Sequence, residues 1–453
     1  MLCSGRIVRE AVCGVLCGAL CGAWAPPLCA QDVAAFERAQ SADLLTIYKQ
    51  LHAHPELSHF EANTSAVLAE GLRKAGYTVT DHVGLYPDGT RAFGVVGLLK
   101  NGAGPTLLVR GDMDALPIVE ETGLPYASKV TTQNKAGQQV GVMHACGHDV
   151  HTTVLLGTAR TLAANKSLWH GTLMIVGQPS EETIDGAKAM LSDNLYARFG
   201  KPDKIIGLHD TNLHAAGTVG VTPGPATASS TSVDVVIRGI GGHGAHPEVG
   251  RDPIVLAAQY ITQIQTIVSR EEDPREPTVV TVGRIEGGTK RNIIPDEVKL
   301  ELTTRAFTDH ARQVVLDGLK QMALGVGTGA GLPTDKLPTV TVMESESTPV
   351  LYNDPQMAAA VKATLEKTLG PQNVFADPPQ MVSEDVGIFG LADHSIPMVY
   401  FWLGAMQPEL FIRASAAGKL LPGHHTSHFE PDPEPTLATG VKALTAVALA
   451  QLQ

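Results

Sequence analysis

Short apolar segments alternate with longer helical segments along much of this 453-residue chain. Strands are predicted at 93–99, 106–110, 171–177 and 204–208, and helices at about 34–51, 62–75, 149–165 and 187–193. Strands that alternate with helices run parallel and are buried on both faces. The pattern therefore predicts an α/β fold with a mainly parallel central sheet and helices on both faces, whose functional side chains lie at the strand ends.

The pattern changes after Pro223. Strands at 232–238, 278–285, 297–304 and 339–344, with helices at 253–269 and 309–324, give the order β-α-β-β-α-β. This is the order of a ferredoxin-like α+β unit. Because the alternation of the first part resumes after about residue 349, we predict that 229–348 is inserted into a larger domain made of 31–228 and 349–453.

Residues 1–30 have the features of a secretory signal peptide. Two arginines precede an apolar run over 11–24, and small residues end the segment at Ala30. The run contains glycines and is shorter than the roughly 20 residues that a membrane span needs, so a retained anchor is the less favoured alternative. We expect export to the periplasm or out of the cell. The mature chain would keep Cys146 alone and form no internal disulfide.

The charge of the mature chain excludes two classes of partner. Without residues 1–30, 32 basic residues stand against 45 acidic ones, a net charge of −13. Such a balance offers no counter-charge to nucleic acid or to an anionic membrane. We therefore expect neither as a partner of the mature protein.

Cys146 lies among three histidines and an aspartate, in HACGHDVH (144–151). It is two residues from His148 at the predicted start of a helix, where a turn can direct both side chains at one centre. A free cysteine is often only a small buried hydrophobic residue. Thiolate and imidazole together, however, suit Zn²⁺ and similar transition metals, so the segment favours a metal site.

Glu181 and Glu182 directly follow a buried strand. Adjacent carboxylates point in different directions, so one can bind metal while the other handles a proton, as metal-assisted hydrolysis requires. The alternative is a pair of solvated glutamates at the start of a helix, where the helix dipole favours them.

Further polar residues follow other predicted strands. Asp112 and Asp114 lie on the same side of a strand end, so either could accept a hydrogen bond from a ligand histidine. A histidine follows the strand at 204–208, and more lie in a Pro/Gly loop near the C terminus: His209, His424, His425 and His428. Each group is weak evidence alone, but together they favour one site at successive strand ends.

The chain resembles the aminoacylase-related dinuclear metallopeptidase family over nearly the whole mature sequence. The similarity rests on LHAHPEL (51–57), RGDMDALP (110–117), MHACGHD (143–149), QPSEE (178–182) and GGHGA (241–245). Within the family, the chain is similar to the hippurate hydrolase and auxin-amide hydrolase branch, which is marked by cysteine in place of an aspartate between the metals. The resemblance implies a zinc-peptidase-like catalytic domain with an inserted lid or dimerisation domain.

The resemblance also implies roles for individual residues. It implies two divalent metal ions per subunit, Zn²⁺ or Mn²⁺ with Co²⁺ or Ni²⁺ as alternatives, bound by Cys146, His148, Glu182, His209 and one C-terminal histidine. The aromatic Phe429 favours His425 as that histidine, and His424 stays open because the family's proline is missing. The catalytic residues implied are Glu181 as general base, Asp114 behind the metal ligands and His243 on the inserted domain. Asn292 and Arg305 match positions that hold the substrate's carboxylate.

The predicted function is metal-dependent hydrolysis of N-acyl amino acids to a carboxylic acid and a free amino acid. A carboxypeptidase or dipeptidase is an alternative, because peptides also present an amide next to a free carboxylate. An exported binding protein is an alternative of another class, although a binder has no need of Glu181. The family's inserted domain implies closure over the substrate and a possible homodimer in which His243 acts on a partner subunit's site.

Overall fold

The computed structural model describes residues 29–391 and 394–453. The predicted signal peptide lies outside the described residues, apart from its last two positions. Within the described part of the chain, no helix combines the length and the apolar character that crossing a membrane requires.

The N-terminal part of the chain supplies most of a large sheet and the helices around it. Its helices are α1 (Cys29–Ala53), α2 (Ala62–Lys74), α3 (His148–Ala164), α4 (Gly186–Ser192) and α5 (Leu195–Phe199). Its strands are β1 (Thr78–Leu85), β2 (Arg91–Asn101), β3 (Thr106–Asp112), β4 (Thr131–Gln133), β5 (Gln139–Gly141), β6 (Gly171–Gln178), β7 (Lys204–Ala215), β8 (Val219–Val221) and β9 (Gly224–Thr227).

The middle of the chain forms a separate four-stranded antiparallel sheet in the order β12-β14-β10-β15. Its elements are β10 (Ser229–Arg238), β11 (Gly242–His243), α6 (Pro253–Thr266), β12 (Thr278–Gly287), β13 (Ile293–Ile294), β14 (Glu297–Ala306), α7 (Asp309–Gly329) and β15 (Thr339–Thr348). Alternate residues of β10 are buried and pack with apolar residues of α6 and α7. These strands fall between residues 229 and 348, the segment predicted as an insertion.

The C-terminal part returns to the large sheet. Its elements are β16 (Leu351–Asn353), α8 (Pro355–Leu369), β17 (Val374–Ala376), β18 (Met398–Met406), α9 (Pro408–Ala416) and α10 (Pro433–Gln451). β18 is buried along its whole length and pairs in parallel with β7. It is therefore a central strand of the sheet, although it follows the middle segment in sequence.

The large sheet has the order β1-β2-β6-β3-β7-β18-β8-β17 among the described residues. The pairings β3/β6, β3/β7, β7/β18 and β8/β17 are parallel, and the others are antiparallel. Apolar residues of α1, α2, α3, α8 and α10 cover one face, and those of α4 and α5 cover the other. The predicted α/β class, with a mainly parallel sheet covered on both faces, is confirmed.

One glycine explains how closely the helices pack. A Cβ on Gly157 of α3 would lie 2.7 Å from side-chain atoms of Leu44 on α1 and Val441 on α10. Only a residue without a side chain allows this approach, so Gly157 lets the middle of α3 pack closely against α1 and α10. The same helix begins at His148, a predicted site residue.

Candidate metal centre

The predicted site residues come together at one edge of the large sheet. β6, β3 and β7 are parallel neighbours, so their carboxyl ends lie side by side. Asp112 and Asp114 lie at the end of β3, and Glu181 and Glu182 follow β6. His209 lies within β7 near the same edge, and α3 begins beside it.

The turn before α3 places Cys146 and His148 in this cluster. Gly147 between them has φ 78°, in the left-handed region, and a Cβ there would lie 2.3 Å from Asp210 Oδ2. Glycine is therefore required for both its conformation and its lack of volume. Cys146 Sγ lies 3.6 Å from His209 Nε2.

His209 is oriented as a metal ligand would be. Its Nδ1 lies 2.7 Å from the backbone oxygen of Asp210, so Nδ1 carries the ring N–H and donates a hydrogen bond to that carbonyl. The lone pair of Nε2 then faces Cys146. A backbone carbonyl that fixes the tautomer in this way is a common partner of metal-binding histidines.

The donor set fits a divalent transition metal. Cys146, His148 and His209 form one group whose ligand atoms lie within 4.8 Å of one another, and Cys146, Glu182 and His425 form another. Within the described residues, Nε2 of the buried His148 makes no hydrogen bond, while its Nδ1 faces Asp114. Buried polar atoms are rarely left unpaired, and a cation bound here would give His148 Nε2 a partner.

The two C-terminal histidines take different places. His425 Nε2 lies 3.4 Å from Glu182 Oε1, at the mouth of the cluster. His424 Nε2 instead lies 3.1 Å from Asp210 Oδ1, behind His209, and its ring packs on Phe429. The structure therefore brings His425 to the candidate ligands and gives His424 a carboxylate partner of its own.

Asp114 fixes the backbone that carries the two glutamates. Its two oxygens accept hydrogen bonds from the N–H groups of Glu181, at 3.1 Å, and Glu182, at 3.0 Å. Its Oδ1 also lies 3.3 Å from His148 Nδ1. Burial opposes ionisation of Asp114, but the neighbouring His148 and the hydrogen bond from Ser58 hold its pKa below the usual value.

Glu181 has the environment of a proton carrier. Burial, together with the negative charges of Glu384 and Glu182, raises its pKa well above that of an ordinary carboxyl group. A carboxylate with a raised pKa can accept a proton and release it near neutral pH. Its Oε2 lies 4.0 Å from His148 Nε2, so it borders the candidate ligands.

A chain of buried polar residues supports the ligands from behind. His151 Nδ1 lies 2.5 Å from Asp112 Oδ1, and the N–H of Asp210 donates to His151 Nε2 at 2.9 Å. Asp112 also accepts from the fully buried Arg110 at 2.6 Å. Asp112 is one of the two aspartates predicted from the sequence as a possible acceptor for a ligand histidine. No role is predicted for His151 or Asp210, although both stand within three residues of a predicted ligand.

Two acidic residues of the site went unnoticed in the sequence. Arg110 Nη2 lies 2.8 Å from Glu384 Oε1 and 3.0 Å from Asp385 Oδ1. These two residues stand at the start of a short 3-10 turn and belong to none of the motifs that carry the family resemblance. Their adjacency, like that of Glu181 and Glu182, was the one signal that could have identified them.

The remaining predicted residues lie on the inserted segment, away from the donor cluster. His243 is exposed on β11, and its Nδ1 accepts from the N–H of Ala245 at 3.0 Å. Asn292 is its neighbour, since its backbone oxygen accepts from Gly244. Arg305 donates to Ser230 and Thr303. Among the described residues, no hydrogen bond or ion pair joins these three to the candidate ligands.

Comparison with known proteins identifies the class. Residues 108–450 match the profile of Peptidase family M20/M25/M40. The N-acetylcysteine deacetylase of Bacillus subtilis is 34% identical over 376 residues, 82% of this chain and 91% of that protein. The hippurate hydrolase of Campylobacter jejuni is 34% identical over 76% of this chain and 84% of its own. The thermostable carboxypeptidase 1 of Saccharolobus solfataricus is 32% identical over 90% and 94%.

A solved structure agrees with these relatives. The Bacillus subtilis YXEP protein, a dinuclear metal binding peptidase from the M20 family, has a TM-score of 0.71 and 28% identity, covering 92% of this chain and all of that one. The chain belongs to the peptidase family M20/M25/M40. It is a metal-dependent hydrolase of amide bonds. The predicted family and enzyme class are therefore confirmed, and the alternative of a non-catalytic binding protein has no support among these relatives.

Proposed function

We propose that this protein hydrolyses N-acyl amino acids, using two divalent metal ions held by Cys146, His148, Glu182, His209 and His425. The observation that carries the proposal is the proximity of Glu181 to a thiol, imidazole and carboxylate cluster in which the buried His148 Nε2 makes no hydrogen bond among the described residues. The hippurate hydrolase and deacetylase relatives favour an acylated amino acid as the substrate. Zn²⁺ or Mn²⁺ is the proposed metal, because a thiolate and imidazoles favour the former and carboxylates the latter.

Divalent metal ions at such a site lower the pKa of water and polarise a carbonyl group. Glu181 takes the proton from the attacking water, whose oxygen bonds to the carbonyl carbon. The same carboxyl group then gives that proton to the amide nitrogen as the carbon–nitrogen bond breaks. Asp114 holds the Glu181 and Glu182 backbone fixed during both steps, because its oxygens accept both N–H groups.

Residues of the inserted segment are proposed to hold the substrate. Burial lowers the pKa of Arg305, and no carboxylate lies within ion-pair distance of it among the described residues. Its guanidinium is thus available for the free carboxylate of an amino acid, with Asn292 as a second donor. His243 would donate to the carbonyl oxygen once the insertion closes over the site, from the same chain or from the partner of a homodimer.

A carboxypeptidase is the second candidate, favoured by the similarity to the thermostable carboxypeptidase over 90% of the chain. We also propose export, on the basis of the signal-like residues 1–30. Fractionation of producing cells and N-terminal sequencing of the mature protein test export. Light scattering of that protein tests the homodimer.

The substrate is tested with a panel containing N-benzoylglycine, N-acetyl amino acids, dipeptides and blocked peptides, each with a free and an amidated carboxyl end. The proposal expects release of free amine, fastest from N-acyl amino acids, and little from the amidated compounds. Faster cleavage of blocked peptides would favour the carboxypeptidase. Equal rates on free and amidated compounds would remove the proposed role of Arg305.

A further inference from the structure

Three consecutive backbone N–H groups after β6 are bound by buried carboxylates. Glu61 Oε1 accepts from Ser180 N at 2.8 Å. The next two N–H groups, those of Glu181 and Glu182, donate to the two oxygens of Asp114. The segment that carries the candidate base and a candidate metal ligand is therefore held by two side chains that lie far from it in sequence.

Glu61 makes further contacts that concentrate on Ser180. The same Oε1 accepts from the Ser180 hydroxyl and from His59 N, each at 2.9 Å. Tyr86 OH lies 2.6 Å from Ser180 Oγ on the other side. The Glu61 side chain is completely buried, immediately before α2. One oxygen thus ties the turn before α2 to the segment that follows β6.

These contacts hold strained backbone. Ser180 has φ 53° and His59 has φ 72°, both in the left-handed region that residues with a Cβ adopt reluctantly. Such a conformation persists only when surrounding contacts impose it. The left-handed Ser180 turns the chain sharply just before Glu181. A relaxed Ser180 would point Glu181 elsewhere.

The segment has no room to relax while keeping its position. The N–H of Gly186 donates to Ser180 O at 3.1 Å, and a Cβ on Gly186 would lie 1.6 Å from Pro179 O. The loop is therefore closed tightly upon itself. If the backbone of Ser180 changes conformation, the rest of the loop cannot absorb the change. The direction of the Glu181 side chain must then change.

We propose that Glu61 is a positioning residue of the reaction, which imposes the left-handed conformation of Ser180 and so directs the Glu181 carboxylate at the reacting water and amide. This inference rests on the proposed function, in which Glu181 is the general base. Among the described residues, Glu61 makes no hydrogen bond or ion pair to a candidate metal-ligand side chain. Its loss should therefore lower kcat while leaving metal binding and KM nearly unchanged.

Glu56 offers a matched control beside the same helix. Its carboxylate accepts from the N–H groups of Asn63, at 3.1 Å, and Thr64, at 2.8 Å. It therefore caps α2 with the same kind of bonds, yet it makes no hydrogen bond to the segment after β6 among the described residues. Glu56→Ala should lower stability and leave kcat within about twofold, since surface and capping losses act on folding rather than on the site.

The experiment compares Glu61→Ala, Glu61→Gln and Glu56→Ala for kcat, KM, metal content and thermal unfolding. Glu61→Ala should lose about 100-fold in kcat, because a displacement of about 1 Å of a catalytic group has this effect. KM should stay within about threefold, with the metals bound. Glu61→Gln should keep most activity, because its amide oxygen can accept the same three hydrogen bonds.

Two more variants make the test independent of the folding of Glu61→Ala. Glu61→Asp keeps the carboxyl group but shortens its reach to Ser180, and kcat should fall at least tenfold. Ser180→Gly in the Glu61→Ala background should recover activity, because glycine adopts a positive φ without strain. A kcat of Glu61→Ala or Glu61→Asp within threefold of wild type, with metals bound, would overturn the inference. So would loss of kcat only in step with loss of metal.

The result also separates the inference from the proposed function. A wild-type protein that releases no amine from any N-acyl amino acid or peptide, with metals bound, would refute the proposed function. An active wild-type protein with an equally active Glu61→Ala would refute the positioning role alone.

Discussion

Gly147 provides a direct test of how the candidate ligands are placed. It separates Cys146 from His148 at φ 78°, and a Cβ there would lie 2.3 Å from Asp210 Oδ2 and 2.4 Å from Oδ1. Gly147→Ala therefore adds two penalties. A left-handed alanine costs about 1–2 kcal/mol, and forcing a methyl group into filled space costs typically about 1–3 kcal/mol more.

Gly76→Ala isolates the first penalty. Gly76 has φ 91°, and among the described residues no atom beyond its chain neighbours would lie within 4 Å of a Cβ added there. We expect Gly76→Ala to lower the free energy of unfolding by about 1–2 kcal/mol. Gly147→Ala should lower it by about 2–5 kcal/mol and also weaken metal binding, because the new methyl group must move Asp210 or the two ligands.

The assay is urea unfolding of both variants and the wild type, with and without added Zn²⁺, together with metal titration. Two results would contradict this role of Gly147. One is a Gly147→Ala protein no less stable than Gly76→Ala. The other is a Gly147→Ala protein with wild-type metal affinity, since the turn would then not need glycine to place its ligands.

Three further predictions concern single residues. Glu181→Gln should keep its metals and lower kcat at least about 100-fold, because a general base contributes about 100- to 10,000-fold. A variant with more than a few per cent of wild-type kcat would contradict its role. His425→Ala should lose bound metal, whereas His424→Ala should keep it, as elemental analysis after gel filtration can determine; the reverse would reassign the ligand. Glu37 lies partly buried on α1 beside α10, and burial raises its pKa to about 7, so the folded protein loses stability as pH rises from about 4.5 through 7. Glu37→Gln should therefore leave the free energy of unfolding unchanged at pH 4 and raise it by roughly 1 kcal/mol at pH 8, after solvent screening is allowed for. Equal effects at both pH values in thermal unfolding would contradict this.

Local pattern was sufficient for most of the fold. The β-α-β-β-α-β order of the insertion appears in the structure as β10, α6, β12, β14, α7 and β15, because each element carries its own apolar periodicity. The predicted helix at 309–324 was too short, since α7 continues to Gly329. Its glycines argue against helix locally, but Gly327 packs against Pro338, where a Cβ would lie 2.4 Å from the ring. Tertiary packing decided this boundary.

The edge of the large sheet was harder to predict. β1 was missed because it is mostly exposed or half-buried, so it carries little apolar alternation.

The helix predicted at 253–269 also differs from the structure. Its α-helical part ends at Thr266, and a π-turn follows over Ile267–Glu271. Neither feature has a local sequence signal strong enough to define it.

The residues of the site also differ in how well the sequence predicts them. Five of the candidate site residues stand in short segments whose residue types already indicate metal chemistry: Cys146, His148, Glu181, Glu182 and His209. Glu61 and Asp385 do not stand in such segments, and they act across long stretches of chain. Glu61 reaches Ser180 over 119 positions, and Asp385 reaches Arg110 over 275. Such contacts become visible only when the fold is known.

The metal centre is tested by counting metal ions and measuring amide hydrolysis on the same purified protein. We predict about two divalent ions per chain, loss of N-acyl amino acid hydrolysis after chelation, and its return with Zn²⁺ or Mn²⁺. Cys146→Ala should fail to regain both metal and activity under the same conditions. Full hydrolysis after the metals are removed, or full metal and activity in Cys146→Ala, would show that this cluster does not bind ions that drive the reaction.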